Sequence, residues 1–312
     1  MRSDQVPALA FAIALSGCVV ALSGVACTTE PVDTGEVVGE PEFLFSFVTI
    51  ADPHITAPSE RDDRLVELVE WVNDNDEPLD VAFVVVLGDI GWDEGLYNSA
   101  EMLDGLDVPY MPVMGDNEVA AGQESEFYGA FTAAFDRLES TFEDFTRTTE
   151  AVWDPELEQE LHLINFGFSH QGVRFLGLDW SSRDSDSILS EMGDLHDFSG
   201  GTLEWLQEEL AASIGAVNGS VMLTSHIPMA MIPGGFFSDD QVALETALSP
   251  YAGQIPFDYA GHLHVDADLR AESGSFDVFV CDALWDDNKS FRVVEVWGNS
   301  ELIETVETRY TL

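Results

Sequence analysis

Residues 43–54 read FLFSFVTIADPH, an apolar run that ends abruptly in a carboxylate and an imidazole. Seven of the first eight residues are apolar or β-branched, which is typical of a buried strand rather than of an amphipathic helix. Asp52 and His54 follow where this strand ends, and Pro53 between them fixes one φ angle. In α/β folds, ligands bind beyond the carboxyl ends of the strands. The stretch therefore predicts a functional site directly after the first strand.

Four later strand ends carry the same residue types. They hold Asp89; Asp116 with Asn117; His226; and His262 with His264. Converging carboxylates and imidazoles are the ligands of divalent transition metals such as Zn, Fe or Mn, whereas oxygen ligands alone would favour Ca²⁺ or Mg²⁺. Glycine precedes the ligands at positions 88, 115 and 261, where it allows the backbone to approach a metal closely. The pattern predicts one metal site built from all five strand ends.

The remaining chain alternates amphipathic segments with short apolar runs. Helices are predicted over residues 60–73, 97–106, 124–145, 203–212 and 239–248. Strands are predicted over residues 81–87, 108–114, 161–168, 173–178, 221–224, 257–260, 276–280, 291–296 and 302–308, with 161–168 and 173–178 forming a hairpin. Strand–helix alternation followed by hairpins predicts an α/β fold of two packed sheets with helices outside.

The net charge restricts the partners of the protein. Asp and Glu number 59 against 11 Lys and Arg, which gives a formal charge of −48. Such a surface repels nucleic acid and anionic lipid headgroups, so we expect no nucleic-acid partner. Acidic self-repulsion is screened by salt, which suggests adaptation to a saline environment as one explanation of the charge. Loosely held surface cations are the other explanation.

The N-terminus is typical of an export signal. Residues 1–27 are interpreted as a signal peptide or lipoprotein signal, 28–42 as a flexible acidic tether, and 43–312 as the functional domain. Leu15–Cys18 resembles a lipobox, Cys27 is a rival lipidation site, and an uncleaved anchor is a third interpretation. Each alternative predicts an exported protein at a bacterial cell envelope or surface, attached through its N-terminal lipid or anchor. Cys281 is then the single cysteine of the domain.

The ordered motifs resemble those of the calcineurin-like metallophosphoesterases. That family follows the pattern D-x-H, GD, GNH[DE], H and GHxH, and this chain shows ADPH, LGDI, MGDNE, SHIP and GHLH in the same order over about residues 45–265. The resemblance implies a metallo-dependent phosphatase-like fold, a four-layer α/β/β/α sandwich of two mixed β-sheets flanked by helices. It also implies a hydrolase of small phosphate mono- or diesters. We expect the protein to be a monomer.

The same resemblance implies roles for particular residues around two divalent metal ions (Fe, Mn or Zn). The first metal would be held by Asp52, His54 and His264, the second by Asp116, His226 and His262, and both by Asp89. Asp89, Asp116 and Asn117 would be the catalytic residues. Two such metals activate a water nucleophile and neutralise the phosphoryl charge.

The third motif departs from the family pattern. Aligned without gaps, Asp116 stands where the family has an asparagine ligand and Asn117 where it has a histidine; a shifted register would make Asn117 the ligand. Asparagine cannot protonate a leaving group. We therefore expect good leaving groups to be preferred, with His196 in an acidic loop as the candidate substitute acid and Asp179 as a supporting or rim residue. The alternative is a catalytically weak or inactive relative that serves as a metal-binding module.

Overall fold

A computed structural model describes residues 40–56, 58–184, 191–213, 220–251, 253–269, 276–286, 290–299 and 303–312. The predicted signal segment and almost all of the predicted tether lie outside these residues. The strands are β1 (Glu42–Ile50), β2 (Val81–Val86), β3 (Tyr110–Pro112), β4 (Glu143–Arg147), β5 (Val152–Asp154), β6 (Gln159–Leu161), β7 (Phe166–His170), β8 (Val173–Leu178), β9 (Ser220–Ser225), β10 (Phe257–Ala260), β11 (Ala267–Asp268), β12 (Asp277–Val280), β13 (Ser290–Gly298) and β14 (Ile303–Thr311). The helices are α1 (Glu60–Leu79), α2 (Gly95–Leu103), α3 (Asp116–Ala120), α4 (Glu124–Ala130), α5 (Thr132–Thr141), α6 (Thr202–Ser213) and α7 (Ser238–Leu248).

Two large mixed sheets organise the described chain. One has the order β14-β13-β1-β2-β3 and the other the order β11-β12-β10-β9-β8-β7-β4. Within the first sheet, β1, β2 and β3 are parallel, and within the second, β8, β9, β10 and β12 are parallel. A parallel bridge from Ala51 to Ala283 joins the chain just beyond β1 to the chain just beyond β12. The carboxyl ends of the parallel strands in both sheets therefore meet at one edge.

Aromatic side chains fill the space between the sheets. Phe47 of β1 stacks on Phe83 of β2 at 5.3 Å and meets Tyr259 of β10 edge-on at 5.6 Å. Phe83 in turn contacts Phe175 of β8 at 4.9 Å. Because side chains alternate across a strand, the odd-numbered positions of β1 face the second sheet. Burial of these rings fixes how the two sheets stack, and so how the two halves of the strand-end edge face each other.

Helices cover the outer faces of both sheets. The buried stripe of α1, from Leu65 to Val72, belongs to the same apolar cluster as the first sheet, and Trp71 packs on Phe291 of β13. On the other side, α6 and α7 share an apolar cluster with Leu176 of β8 and Leu223 of β9. The predicted two-sheet sandwich with flanking helices is confirmed.

Three of the predicted elements differ most from the structure. Helix α1 continues past residue 73 to Leu79, because backbone hydrogen bonds sustain its polar last turns and left-handed Asp80 caps them. The predicted helix over 124–145 is instead α4, α5 and β4. The helical spacing of apolar residues in this segment continues across Phe131, so the sequence does not show the break. In the structure, the ψ angle of 21° at Phe131 interrupts the helix.

The predicted strand over 161–168 is also divided. Its first residue ends β6, which pairs with β5, and β7 begins only at Phe166. Asn165 separates the two, since its amide binds the backbone N–H of Asp179 and the hydroxyl of Thr202. The predicted hairpin therefore exists, but it consists of β7 and β8.

Candidate metal centre

The structure brings together all seven residues that the sequence proposed as metal ligands. Their ligand atoms form three overlapping groups, each within 4.8 Å: Asp52, His54 and His264; Asp116, His226 and His262; and Asp52, Asp89 and His226. The ligands follow β1, β2 and β3 of one sheet and β9 and β10 of the other. Parallel strand ends thus place residues that are distant in sequence at one point.

The first group lies at the end of β1. His54 Nε2 is 3.2 Å from Asp89 Oδ2 and 3.7 Å from Asp52 Oδ1, and His264 Nε2 is 3.5 Å from Asp52 Oδ1. His54 Nε2 is buried and has no hydrogen-bond partner among the described residues. A buried ring nitrogen aimed at two carboxylates without a hydrogen bond fits a cation placed between them.

The second group is arranged around Asp116. Its Oδ1 lies 2.8 Å from His226 Nε2 and 3.3 Å from His262 Nδ1. His226 Nε2 is also 3.4 Å from Asp89 Oδ1. Asp89 therefore presents one oxygen to each group. This geometry places Asp116 itself among the ligand atoms, as the alignment without gaps implies.

Hydrogen bonds outside the cluster fix the orientation of two histidines. His226 Nδ1 donates to the carbonyl of Leu87 at 2.8 Å, and His262 Nε2 donates to the carbonyl of Glu191 at 3.1 Å. Each ring consequently turns its other nitrogen toward Asp116. Such outer partners set the tautomer of metal-binding histidines and are characteristic of metal sites.

The backbone at the site is held in an uncommon conformation. Five of the seven ligand residues have positive φ, which disfavours side-chain-bearing residues: Asp52, His54, Asp89, His262 and His264, with φ between 49° and 70°. Each such residue costs of order 1 kcal/mol or more, and such strain concentrates at functional sites. The surrounding sheets thus support a ligand arrangement that the local sequence alone would not favour.

Glycines make room for the ligands, as predicted. A Cβ on Gly88 would lie 2.5 Å from the ring of His226, and one on Gly115 would lie 2.2 Å from the backbone nitrogen of Asp89. Gly88 also has φ of +78°. Neither contact could be relieved without displacing a ligand.

The carboxylates and imidazoles perturb one another strongly. Burial alone would raise the pKa of Asp52 and Asp116, but the neighbouring histidine side chains hold both well below the usual range. Burial would lower the pKa of His54, yet Asp52 and Asp89 raise it to about 9, and the pKa of His226 is likewise raised well above 6.5. The cluster therefore demands positive charge, which either protons on the imidazoles or divalent cations can supply.

Asn117 and Glu118 support the cluster from α3. The backbone N–H of Asn117 donates to Asp89 Oδ1 at 2.9 Å, and its side-chain amide donates to Asp89 Oδ2. Buried Glu118 accepts from the backbone N–H groups of Gly91 and Gly115 at 2.9 and 3.0 Å. Burial, reinforced by Asp89, raises the pKa of Glu118 to about 8. Asn117 thus orients the shared carboxylate, a contact that the sequence did not indicate.

Aromatic residues that the sequence did not single out flank the first group. The ring of His54 lies 5.1 Å from that of Trp92 and 5.6 Å from that of Trp285, and Trp285 is also 5.4 Å from His264. The guanidinium of Arg61 lies over the ring of Trp285, 4.9 Å from its centroid, and donates to the carbonyl of His54. The sequence signal that could have identified Trp92 and Trp285 is that each follows the end of a strand.

The rim positions expected for His196 and Asp179 were wrong. His196 was expected at the rim, but its side chain is fully buried and its Nε2 donates to the carbonyl of Ser181 at 3.1 Å. A histidine so placed cannot face a leaving group. Asp179 is also buried rather than at the rim, and it forms a bidentate pair with Arg183, with both N–O distances 2.7 Å.

Among the described residues, no helix is long and apolar enough to cross a membrane.

A two-sheet sandwich with clustered carboxylates and imidazoles at one strand-end edge is typical of metal-dependent hydrolases. The chain belongs to the calcineurin-like phosphoesterase family, whose model matches residues 45–266. None of the curated proteins compared matches the chain.

The chain is also similar to solved structures. A dimetal phosphatase from Danio rerio is similar at 16% identity with a TM-score of 0.58, over 86% of this chain and 100% of its own. Sulfate thiohydrolase SoxB from Thermus thermophilus is similar at 13% identity and 0.49, over 87% of this chain and 57% of its own. An archaeal phosphodiesterase is similar at 11% identity with a TM-score of 0.36, over 85% of this chain and 100% of its own. At these identities the first likeness establishes the fold and not the substrate.

Proposed function

We propose that the protein is an exported phosphoesterase that holds two divalent metal ions and hydrolyses small phosphate mono- or diesters. The observation that carries the proposal is the position of Asp89, whose two oxygens face two separate ligand groups. A shared carboxylate between two ligand sets is what a pair of nearby metals requires. The mixed nitrogen and oxygen donors favour Fe, Mn or Zn. These metals would polarise the phosphoryl group and lower the pKa of a water nucleophile.

The side chains of the site would have separate roles. Asp52, His54 and His264 would hold one ion, and Asp116, His226 and His262 the other. Asn117 would orient Asp89, and the fixed histidine tautomers would keep both coordination sets in place before substrate arrives. Preorganised ligands of this kind avoid rearrangement during the reaction.

Asn117 restricts the leaving groups. Its amide can bind a phosphoryl oxygen but cannot supply a proton. Asp116 adds a negative charge where the family has a neutral ligand, which would strengthen metal binding and reduce the Lewis acidity of that ion. Esters of acidic alcohols should therefore react faster than alkyl esters.

The experiment is turnover of bis-p-nitrophenyl phosphate and p-nitrophenyl phosphate with Mn²⁺, Zn²⁺ or Fe²⁺. Asp89→Asn keeps the shape of the shared ligand and should abolish metal-dependent turnover, whereas Asp93→Asn is a matched control on the same loop. Asp93 is exposed and is in none of the ligand groups. Equal activity of both variants would refute the proposal.

The second candidate is a metal-binding module without turnover. The observation that favours it is the asparagine at the position of the family's catalytic histidine. Two bound metals per chain without hydrolysis of either substrate would support this alternative.

Export with lipid attachment is the corresponding proposal for location, and it rests on residues 1–27. Labelling with a fatty-acid probe should be lost in Cys18→Ser or in Cys27→Ser, which identifies the lipidated residue. Labelling of neither cysteine, with an intact N-terminus, would support an uncleaved anchor.

A further inference from the structure

A cavity of about 280 Å³ opens beside the metal centre on the side of α3. It is lined by Asp116 and Val119, by Glu124 at the start of α4, and by Gln159, Arg183 and Asp184. Asp116 belongs to both the cavity and the second ligand group. A substituent of a phosphoester bound at the metals could therefore enter this cavity directly.

The charge of the cavity wall is acidic despite the arginine. The guanidinium of Arg183 is paired from behind by fully buried Asp179, and its side chain is only 3% exposed. Arg183 Nε has no hydrogen-bond partner among the described residues, and it lies 3.7 Å from Glu124 Oε1. Because Arg183 is paired with Asp179, the carboxylate of Glu124 adds a further negative charge to the wall.

The size of the cavity excludes long apolar groups. At about 30 Å³ per water, it holds roughly nine waters' volume, at the lower limit of ligand pockets. Its walls offer the carboxylate oxygens of Glu124 and Asp116 as acceptors, and the amide of Gln159 and the hydroxyl of Ser182 as groups that can donate or accept. A small group that carries hydrogen-bond donors fits this lining, whereas an acyl chain or a second anionic group does not.

We propose that this cavity selects phosphoesters of small alcohols bearing hydrogen-bond donors, with an ammonium group preferred and a carboxylate rejected. The inference rests on the proposed function, because the metals place the phosphoryl group beside the cavity. Phosphonates of matched chain length test it without requiring turnover: 2-aminoethylphosphonate, propylphosphonate and 3-phosphonopropionate. Their affinities for the metal-loaded full chain are measured by calorimetry.

We expect 2-aminoethylphosphonate to bind about tenfold more tightly than propylphosphonate and 3-phosphonopropionate about tenfold more weakly, as one charge interaction across a partly exposed site allows. Glu124→Gln should reduce the ratio between the amino and carboxylate ligands at least fivefold. Glu126→Gln removes the same charge from the exposed face of the same helix and serves as the control for the general acidic field. Its ratio should match that of the unchanged protein.

An equal ratio in the Glu124 and Glu126 variants, or tighter binding of 3-phosphonopropionate, would overturn the inference. The latter result would mean that Arg183 governs the cavity. Failure of the proposed function gives a different result, namely absent hydrolysis of the p-nitrophenyl esters. Ligand discrimination without hydrolysis would keep the cavity assignment and reject the phosphoesterase activity, whereas hydrolysis without discrimination would do the reverse.

Discussion

A buried carboxyl group on β10, the strand that precedes His262 and His264, should make the stability of the protein depend on pH. Asp258 of β10 is fully buried, and burial raises its pKa from 3.8 to about 7. Its Oδ2 accepts from the backbone N–H of Met229, and its Oδ1 lies 3.2 Å from the hydroxyl of Ser225. That hydroxyl is closer to the carbonyl of Ile227, at 2.8 Å. Because Ser225 can donate only one proton, its contact with Asp258 is best satisfied when the carboxyl is protonated.

The sign of the effect follows from proton binding. Between pH 3.8 and about 7, the unfolded chain has already released the proton that folded Asp258 retains. The unfolded state then binds fewer protons, so the free energy of unfolding falls as pH rises through this window. Integrating these two pKa values from pH 5 to pH 8 gives a loss on the order of 2 to 3 kcal/mol from this one residue.

Asp258→Asn removes the titration while keeping the shape and both hydrogen bonds, since its amide can accept from Met229 and donate to Ser225. Urea unfolding of the full chain is measured at pH 5 and pH 8 with a chelator present. From pH 5 to pH 8, the free energy of unfolding of the variant should rise by about 2 to 3 kcal/mol relative to that of the unchanged protein. Asp239→Asn, at an exposed position, controls for the loss of charge. Parallel pH dependence in the Asp258 variant and the unchanged protein would refute the reasoning.

Four further outcomes are expected. Asn117→His should raise turnover of alkyl phosphates by about ten- to a hundredfold by restoring a proton donor, and unchanged rates would remove residue 117 from leaving-group chemistry. Gly88→Ala should abolish metal binding, measured by calorimetry, because its Cβ would displace His226. Gly122→Ala is the control, since Gly122 has a similar φ but open space around it, and it should still bind metal. Equal loss of binding in both variants would point to backbone strain alone. Metal affinity should fall as pH is lowered from 9 to 6, because protons compete for His54, whose pKa is raised to about 9; a constant affinity would contradict this. The melting temperature should climb with NaCl as self-repulsion is screened, and a flat response up to molar salt would reject that explanation of the acidic composition.

Much of the fold could be predicted because its signals are local. Runs such as residues 81–87 are apolar throughout, so they specify strands buried on both faces, and the stripe from Leu65 to Val72 specifies a helix with one buried face. The boundaries that were wrong are those where local signal and tertiary context compete. The break at Phe131 interrupts a continuous helical period, and β4 exists only because β7 pairs with it.

The sequence by itself determined which side chains gather at the metal centre, because each follows a strand and parallel strands end at a common edge. Only the tertiary structure decided how those side chains are held. The left-handed backbone at Asp52 and His54, and the carbonyls that orient His226 and His262, depend on contacts between residues far apart in the chain. The same holds for the burial of His196 and for the pairing of Asp179 with Arg183. Burial and charge balance are sums over neighbours that no local pattern encodes, so the electrostatics of the site and of its adjoining cavity emerge only once the two sheets have packed.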